Sequence, residues 1–336
     1  MSLAEAEALC IAAARGAGAS EATARSIALA AVDAEAEGQP NVGFSHYIDY
    51  LESLEAGRID GKAEPALARP APAIIVSDAM GGSAHLGFDR AFADLVTTAS
   101  SFGLALFVQK NAYTAGALGY FAGRLAAEGL VALAATNGPA LIAGGGAKRP
   151  IYCTNPLAFA APVAGAGPLI IDQSSSATAY VSVRRAAEEG RPLPEGWAID
   201  AGGEPTTDAA EAMRGALLTF GGARGANIAL MVDVLAGGVA AANWSLDANS
   251  ITEGAESPGS GLFVLALAPA LIDAQFAERM AAQMARLEGG YGVHIPGRRK
   301  TAAREAAARD GITVPLAIHD RVTAFAQTPA TKKAPR

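Results

Sequence analysis

The sequence predicts an α/β protein of the α+β kind, and three observations carry the prediction. Short apolar runs at Ala73 to Val76, Leu104 to Val108 and Leu130 to Ala135 have strand length. Between them, Asp89 to Phe102 and Ala117 to Ala127 have helix length and helical periodicity. Ala-rich helical sequence stands before this alternation and again near its other end. No G-x-G-x-x-G follows the first strand with an acid about 20 residues later, so a Rossmann domain is not supported.

At 336 residues the chain can bury a large core and suggests two or three structural units. Its 51% hydrophobic and 18% charged residues are the balance of a globular protein. A formal net charge of -7 disfavours a phosphate-backbone partner, which needs a basic face, so no nucleic acid is expected. Cys10 and Cys153 are too few and too far apart for a disulfide framework, which fits a reducing cytoplasm. Glu5 and Glu7 interrupt the start before a signal-peptide core can form. The apolar tract Ile228 to Ala242 contains Asp233 and a glycine pair, so it reads as a buried helix and no membrane partner is expected.

Up to about Glu37 the apolar spacing gives two helices, the second capped by Ser20. Gly38-Gln39-Pro40-Asn41 then breaks the chain, and the helical run that follows holds Ser45 and His46 in its first turn. An imidazole there can exchange protons near neutral pH, although a capping or surface histidine is the commoner use. His85 falls in a Gly-rich segment and is expected to pack at a turn. His294 and His319 lack acidic or Cys neighbours at ligand spacing, and no metal site is predicted.

The most site-like loop runs from Gly144-Gly145-Gly146 through Lys148 and Arg149 to Thr154-Asn155-Pro156, leading into a strand at Leu157 to Pro162. Its glycines let backbone approach a ligand, and Thr154 and Asn155 offer directional hydrogen bonds. A strand at Pro168 to Asp172 ends in a carboxylate and the cluster Ser174 to Ser176, suited to hold a ribose or amide, or to form an Asx or Ser turn. Gly190 to Asp208 reads as a long irregular excursion. Gly221-Gly222-Ala223-Arg224-Gly225 opens a helix where free N–H groups and a guanidinium can receive an anion. A strand at Leu262 to Leu267 and a helix at Ile272 to Leu287 follow. Arg298-Arg299-Lys300 then stand at a helix start, opposing its dipole unless an anion is near; a solvated charge run is the commoner case.

Ser45-His46, Asn111 with Gly116 to Tyr120, Thr136-Asn137, Thr154-Asn155-Pro156 and Asp172 with Ser174 to Ser176 form the first half of an ordered set. Pro194 to Ala198, Pro205 to Asp208, Gly221-Gly222 with Arg224-Gly225, and Pro296-Gly297 complete it. In order and spacing the set resembles the malate/L-lactate dehydrogenase family. The resemblance implies a non-Rossmann nicotinamide-binding fold, helical segments from both termini around a central cofactor domain, and a homodimer. The implied division is residues 1–72 with the catalytic histidine, 73–220 as cofactor domain, 221–326 packing back on the N-terminal part, and a disordered tail at 327–336. His46, with Ser45, would be the proton donor, and Thr154 would touch the substrate. NADH or NADPH would meet Ala115, Gly116, Ala117, Leu118 and Gly119. It would also meet Asn155, Asp172, Gln173 and Ser174, the Ala223-Arg224 turn, and Pro296, Gly297 and Arg298.

Three departures shape the expected chemistry. Relatives carry glycine and a carboxylate-binding arginine where this chain has Tyr47 and Tyr50, and often His at Tyr113 and Lys or Asp at Ser182. Carboxylate binding is therefore reassigned to Arg224, with Tyr50 and Tyr113 also on the substrate side. The expected reaction is hydride transfer between nicotinamide and C2 of a small 2-oxo or cyclic 2-imino acid, such as Δ1-piperideine-2-carboxylate or Δ1-pyrroline-2-carboxylate. A malate-, lactate- or sulfolactate-type 2-hydroxy acid dehydrogenase is one alternative, and a nucleotide-binding homologue without catalysis is another. The Arg298-Arg299-Lys300 cluster tilts the cofactor toward NADPH, whose 2′-phosphate adds about one and a half to two negative charges.

Overall fold

The computed structural model describes residues 1–328, and three helices open it. α1 (Leu3–Gly16) starts on a capping box, in which Ser2 accepts the Glu5 N–H and the Glu5 carboxylate accepts the Ser2 N–H. α2 (Glu21–Ala36) starts at Ser20, whose hydroxyl accepts the Thr23 N–H as expected. α3 (Phe44–Ala56) has Gly43 at its N-cap and therefore no capping side chain of its own. The buried carboxylate of Glu35, near the end of α2, accepts the Phe44 N–H at 2.9 Å instead. A Cβ on Gly43 would lie 2.3 Å from that carboxylate, so only glycine lets the two helices come this close.

The chain then forms β1 (Ala66–Ala71), β2 (Ile74–Asp78), α4 (Ala84–Phe102), β3 (Leu104–Ala112), α5 (Gly119–Ala127) and β4 (Val131–Thr136). β5 (Ile142–Ala143), β6 (Leu157–Ala161), β7 (Leu169–Gln173), α6 (Tyr180–Glu188), β8 (Ala198–Ile199) and β9 (Pro205–Thr206) follow. Next come α7 (Ala209–Arg214), β10 (Ala216–Leu218), α8 (Ala223–Asp233) with a π turn at Val234–Val239, and β11 (Ser260–Leu267). A 3₁₀ turn at Pro269–Leu271 and the helices α9 (Phe276–Tyr291), α10 (Arg298–Asp310) and α11 (Leu316–Ala326) complete the described chain.

A seven-stranded sheet, ordered β1-β2-β3-β11-β4-β6-β7, forms the centre. In it β2 and β3 run parallel across the α4 connection, and the other neighbours are antiparallel. β11 returns from late in the chain to the middle of this sheet, a place open only to a strand that is apolar on both faces. Leu262 and Val264 join the core that α4 and α5 build with Phe88, Phe107 and Phe121, while Phe263 joins Val108, Ala135 and Val232 on the opposite face. Each fully buried Phe there is worth about 1.5–3 kcal/mol relative to exposure. A second sheet, β5-β10-β8-β9, packs with α6 and α7 around Val183, Ala186, Leu193 and Leu217. At the periphery α11 packs on α1 and α3, α10 packs on α2, and the Met1 ammonium donates to the Ile312 carbonyl at 2.9 Å.

Several expectations change. The helix expected from Asp89 starts at Ala84, because its buried stripe of Ala84, Phe88, Ala91 and Leu95 begins there, so His85 lies in a first helical turn and not at a loop turn. Residues 190–208 are not irregular throughout, since β8 and β9 pair with each other and β8 docks on β10. α9 begins at Phe276 and not Ile272, because Pro269 sets up the 3₁₀ turn and Asp273 accepts the Gln275 N–H. The tract Ile228 to Ala242 is α-helical only to Asp233 and leaves Leu230, Met231, Val234 and Val239 exposed, so it is not a buried helix. β1 was not foreseen; with Arg69 and Pro70 in an exposed edge strand, it carries little apolar signal. Gln327 and Thr328, where the tail was expected, close α11 with hydrogen bonds to Thr323 and Phe325, and residues 329–336 lie outside the described residues. Among the described residues no helix is long and apolar enough to cross a membrane.

The cap that Glu35 supplies to α3 can be tested directly. Burial raises the Glu35 carboxyl above the usual carboxylate range, so a neutral group that keeps an acceptor oxygen should serve nearly as well. Glu35→Ala should cost about 1–2 kcal/mol in denaturant unfolding, the scale of a lost helix cap, and Glu35→Gln distinctly less. Equal losses would show that the bond to Phe44 is not what anchors α3.

Candidate active site

α3 sets His46 and Asp49 three residues apart, on one face of its first turns. The imidazole Nδ1 lies 2.9 Å from the Asp49 carboxylate. With Asp49 ionised the proton belongs on Nδ1, which leaves Nε2 for a ligand. Both side chains and Ser45 line a cavity of about 220 Å³ whose far wall is α6, with Ser182, Arg184, Arg185 and Glu188 turned to it. Arg184 and Arg185 have no ion pair or hydrogen bond among the described residues.

An aromatic floor lies beside this cavity. Tyr50, one turn beyond His46, meets the imidazole edge-on with ring centroids 5.0 Å apart. Its ring is buried, its hydroxyl accepts a hydrogen bond from Thr114 at 2.9 Å, and burial raises its pKa, so it remains a neutral phenol. His85 comes next, 6.0 Å from Tyr50 and stacked on Phe121 at 5.3 Å. It is buried, its Nδ1 has no hydrogen-bond partner, and burial pushes its pKa down to about 4. Tyr113 is also buried, with its hydroxyl accepting from Ser53 at 2.8 Å and donating to the Ile251 carbonyl at 3.0 Å.

The loop Ala115 to Gly119 joins the floor to a second group of expected residues. Gly116 takes φ +61°, and a Cβ there would stand 3.2 Å from the Tyr50 hydroxyl and 3.8 Å from His85 Nε2, so bare backbone covers the two rings. The Gly119 N–H donates to Asp172 at 2.8 Å. Burial raises the Asp172 carboxyl, opposed by that N–H and by Lys300. Pro296 accepts the Ile170 N–H, and Gly297 packs so tightly on β7 that a Cβ would lie 2.7 Å from the Pro168 carbonyl. Lys300 lies 3.4 Å from Glu37 but makes no hydrogen bond, and its buried Nζ stands 3.2 Å from where a Gly119 Cβ would be. An open glycine backbone beside a buried ammonium with unused donors fits the phosphates of a dinucleotide. The rest of the basic cluster divides, with Arg298 3.7 Å from Glu288 and exposed Arg299 without a partner among the described residues.

A third group surrounds the start of α8. Asn155 is fully buried, adopts φ +38°, and donates to the Ala229 carbonyl at 2.7 Å, while Ser175 donates to the Asn155 carbonyl. The Thr154 carbonyl accepts the Ser175 N–H, and Ser174 and Ser176 share a hydrogen bond at 2.9 Å. Gly221, Gly222 and Ala223 line a wide recess with Gly144 to Gly146, and Arg224 is exposed beside it. Neither Thr154 nor Arg224 lines the His46 cavity. Gln173 is exposed at the end of β7.

The structure therefore joins Ser45, His46 and Tyr50 to Ala115–Gly119, and that loop to Asp172 and Pro296–Arg298. Asp49 was missed, although its i+3 spacing from His46 on a helix was readable. The polar stripe of α6 was missed because a run of Arg and Glu reads first as a solvated face.

A sequence profile of the malate/L-lactate dehydrogenase family matches residues 1–323. The chain is 36% identical over 287 residues to a Δ1-pyrroline-2-carboxylate/Δ1-piperideine-2-carboxylate reductase of Pseudomonas aeruginosa, covering 84% of this chain and 86% of that protein. It is 36% identical over 327 residues to a (2R)-3-sulfolactate dehydrogenase (NADP(+)) of Chromohalobacter salexigens, covering 97% and 98%. Among solved structures, Δ1-piperideine-2-carboxylate reductase from Pseudomonas syringae superimposes with a TM-score of 0.92 at 32% identity, covering 97% of this chain and 99% of that one.

Neutral His85 makes stability depend on pH. Its folded pKa lies below its ordinary value near 6.5, so the unfolded chain binds the extra proton first as pH falls. The stabilisation is complete above about 6.5 and declines toward pH 4, by on the order of 3 kcal/mol in all. Denaturant unfolding at pH 7 and pH 5 should show wild type losing more stability than His85→Phe. Equal losses would mean that His85 is charged in the folded protein.

Proposed function

This chain belongs to the malate/L-lactate dehydrogenase family, and on that premise we propose that His46 is the proton donor in reduction of a small 2-oxo or cyclic 2-imino acid at C2. The enzyme is an NAD(P)-dependent oxidoreductase, the bound dinucleotide supplying or accepting the hydride. The observation that carries the assignment is the His46–Asp49 pair, 2.9 Å apart and opening on a small cavity. Asp49 accepts the Nδ1–H throughout; the imidazolium gives its Nε2 proton to the carbonyl oxygen or imine nitrogen and is left as the neutral Nδ1–H tautomer. Help of this kind is typically worth about 10²- to 10⁴-fold, with positioning supplying the rest. A homologue without catalysis would have no use for such a pair.

Ala115–Gly119 would hold the dinucleotide, with Asp172, Gln173 and Ser174 suited to its ribose and Lys300 and the Pro296–Arg298 turn to its phosphates. Ala223 and Arg224 serve the cofactor side, since Arg224 stands away from the His46 cavity. Asn155 shapes this side through its bond to Ala229. Thr154 is kept as a substrate contact made on binding. NADPH would be the better cofactor, with Arg299, a cation of the 298–300 cluster that has no carboxylate partner among the described residues, placed to meet its 2′-phosphate. The name of the sulfolactate dehydrogenase points the same way.

The fold is read as non-Rossmann because the central sheet has only one parallel pair among its described strands, β2 and β3, which cannot make a doubly wound sheet. Three segments, 1–72, 73–220 and 221–326, remain the functional division, the outer two lending β1 and β11 to the central sheet. A homodimer is supported by exposed Leu230, Met231, Val234 and Val239 on one helical segment, and a reducing cytoplasm by two free cysteines.

Two substitutions test the reading against a panel of 2-oxo and cyclic imino acids. His46→Ala should lower kcat at least about a hundredfold while cofactor affinity holds. Asp49→Asn should lower kcat with little change in KM, and less severely than His46→Ala. Activity of His46→Ala within threefold of wild type would remove the proton-donor role.

A further inference from the structure

Resting on the acid-reduction reading above, we infer that Arg184 and Arg185 of α6 hold the substrate's carboxylate, and that Glu188 restricts the site to acids carrying one negative charge. α6 has two faces. Val183 and Ala186 are buried in the small core with Leu193, whereas Arg184, Arg185 and Glu188 recur at helical spacing on the face that lines the His46 cavity. Two adjacent guanidinium groups repel each other, and among the described residues neither has a carboxylate partner. Arg191 and Arg214, arginines of the same part of the chain, each have one, in Glu189 and Glu211. The unpaired charges thus lie where an acid substrate must sit to reach His46.

Other candidates for the carboxylate are excluded by position. Tyr50 is buried and does not line the cavity. Arg224 stands by the recess at the start of α8, outside the cavity. The planar, forked guanidinium suits a carboxylate in bidentate fashion.

Charge balance sets the substrate class. When His46 carries the proton it donates, the cavity holds three cationic groups, Arg184, Arg185 and His46, against two anionic ones, Asp49 and Glu188. One substrate carboxylate completes the balance. A second carboxylate or a sulfonate would meet Glu188 without a free cation, a repulsive element that discriminates against dianions. The cavity's small volume, about 220 Å³, also suits a short or single-ring acid.

The test uses the full chain with NADPH and NADH, and compares monoanionic 2-oxo and cyclic imino acids with a 2-oxo dicarboxylate and a 2-oxo sulfonate. Wild type should favour the monoanions. Arg184→Gln/Arg185→Gln should raise KM for them at least about tenfold, with kcat changed far less and cofactor affinity unchanged, as loss of uniform binding requires. Calorimetry should show the same weakening of acid binding, and Arg→Lys at both sites should restore part of it. Glu188→Gln should raise kcat/KM for the dianions relative to the monoanions at least about fivefold. Wild-type turnover with an unchanged KM in the double variant would overturn the carboxylate assignment and leave the acid-reduction reading standing. A dianion preference in wild type would overturn the role of Glu188. No turnover of any acid by wild type would overturn the reading and the inference together.

Discussion

The buried carboxylate of Glu35 fixes where His46, the proposed proton donor, can be. A helix beginning at glycine has no side chain to satisfy its first N–H groups, and leaving them buried and unpaired would cost on the order of 1–3 kcal/mol each. Glu35 supplies the acceptor from the neighbouring helix, and Gly43 leaves the room for it. Since His46 is two residues beyond Phe44, this single bond from α2 sets the height and rotation of the turn that carries His46. Asp49, carried by the same helix, needs no further scaffold to reach the imidazole.

α2 does more than cap α3. Its Ser26 hydroxyl donates to Asp89 of α4, which also pairs with Arg124 of α5, so the helix is tied to the helices covering the central sheet. Its Asp33 pairs with Arg304 of α10, and Glu37, just past its end, lies beside Lys300. One helix thereby connects the helix of His46, the helices covering the central sheet and the returning C-terminal segment. These pairs are partly buried, and removing one partner would leave a charge uncompensated, the arrangement in which ion pairs matter most for geometry. The aromatic floor continues the connection, with Tyr50, His85 and Phe121 in edge or stacked contact from α3 to α5.

Much of this was legible in the sequence. The apolar runs gave most of the central strands, Ser20 gave the start of α2, and the break at Gly38 to Asn41 put His46 in a first helical turn. What could not be read were relations between distant segments. β11 inserts at the centre of the sheet because both its faces are apolar, yet an apolar run does not name its neighbours. Glu35 looks like an ordinary helix glutamate until α3 is packed against it. Arg184, Arg185 and Glu188 look like a solvated face until the second sheet swings α6 toward His46. His85 was misplaced because the glycines before it suggested a turn, whereas Ser83 and the apolar stripe behind it begin a helix.

The central claim is that Asp49 holds the proton on His46 Nδ1 and so presents Nε2 to the substrate. Nitrogen NMR of ¹⁵N-histidine-labelled protein, with His46→Gln used to assign the signal, measures this directly. For the neutral imidazole the account predicts a protonated Nδ1 and a bare Nε2, with Asp49→Asn shifting the tautomer balance. A His46 protonated on Nε2, or insensitive to Asp49→Asn, would contradict it.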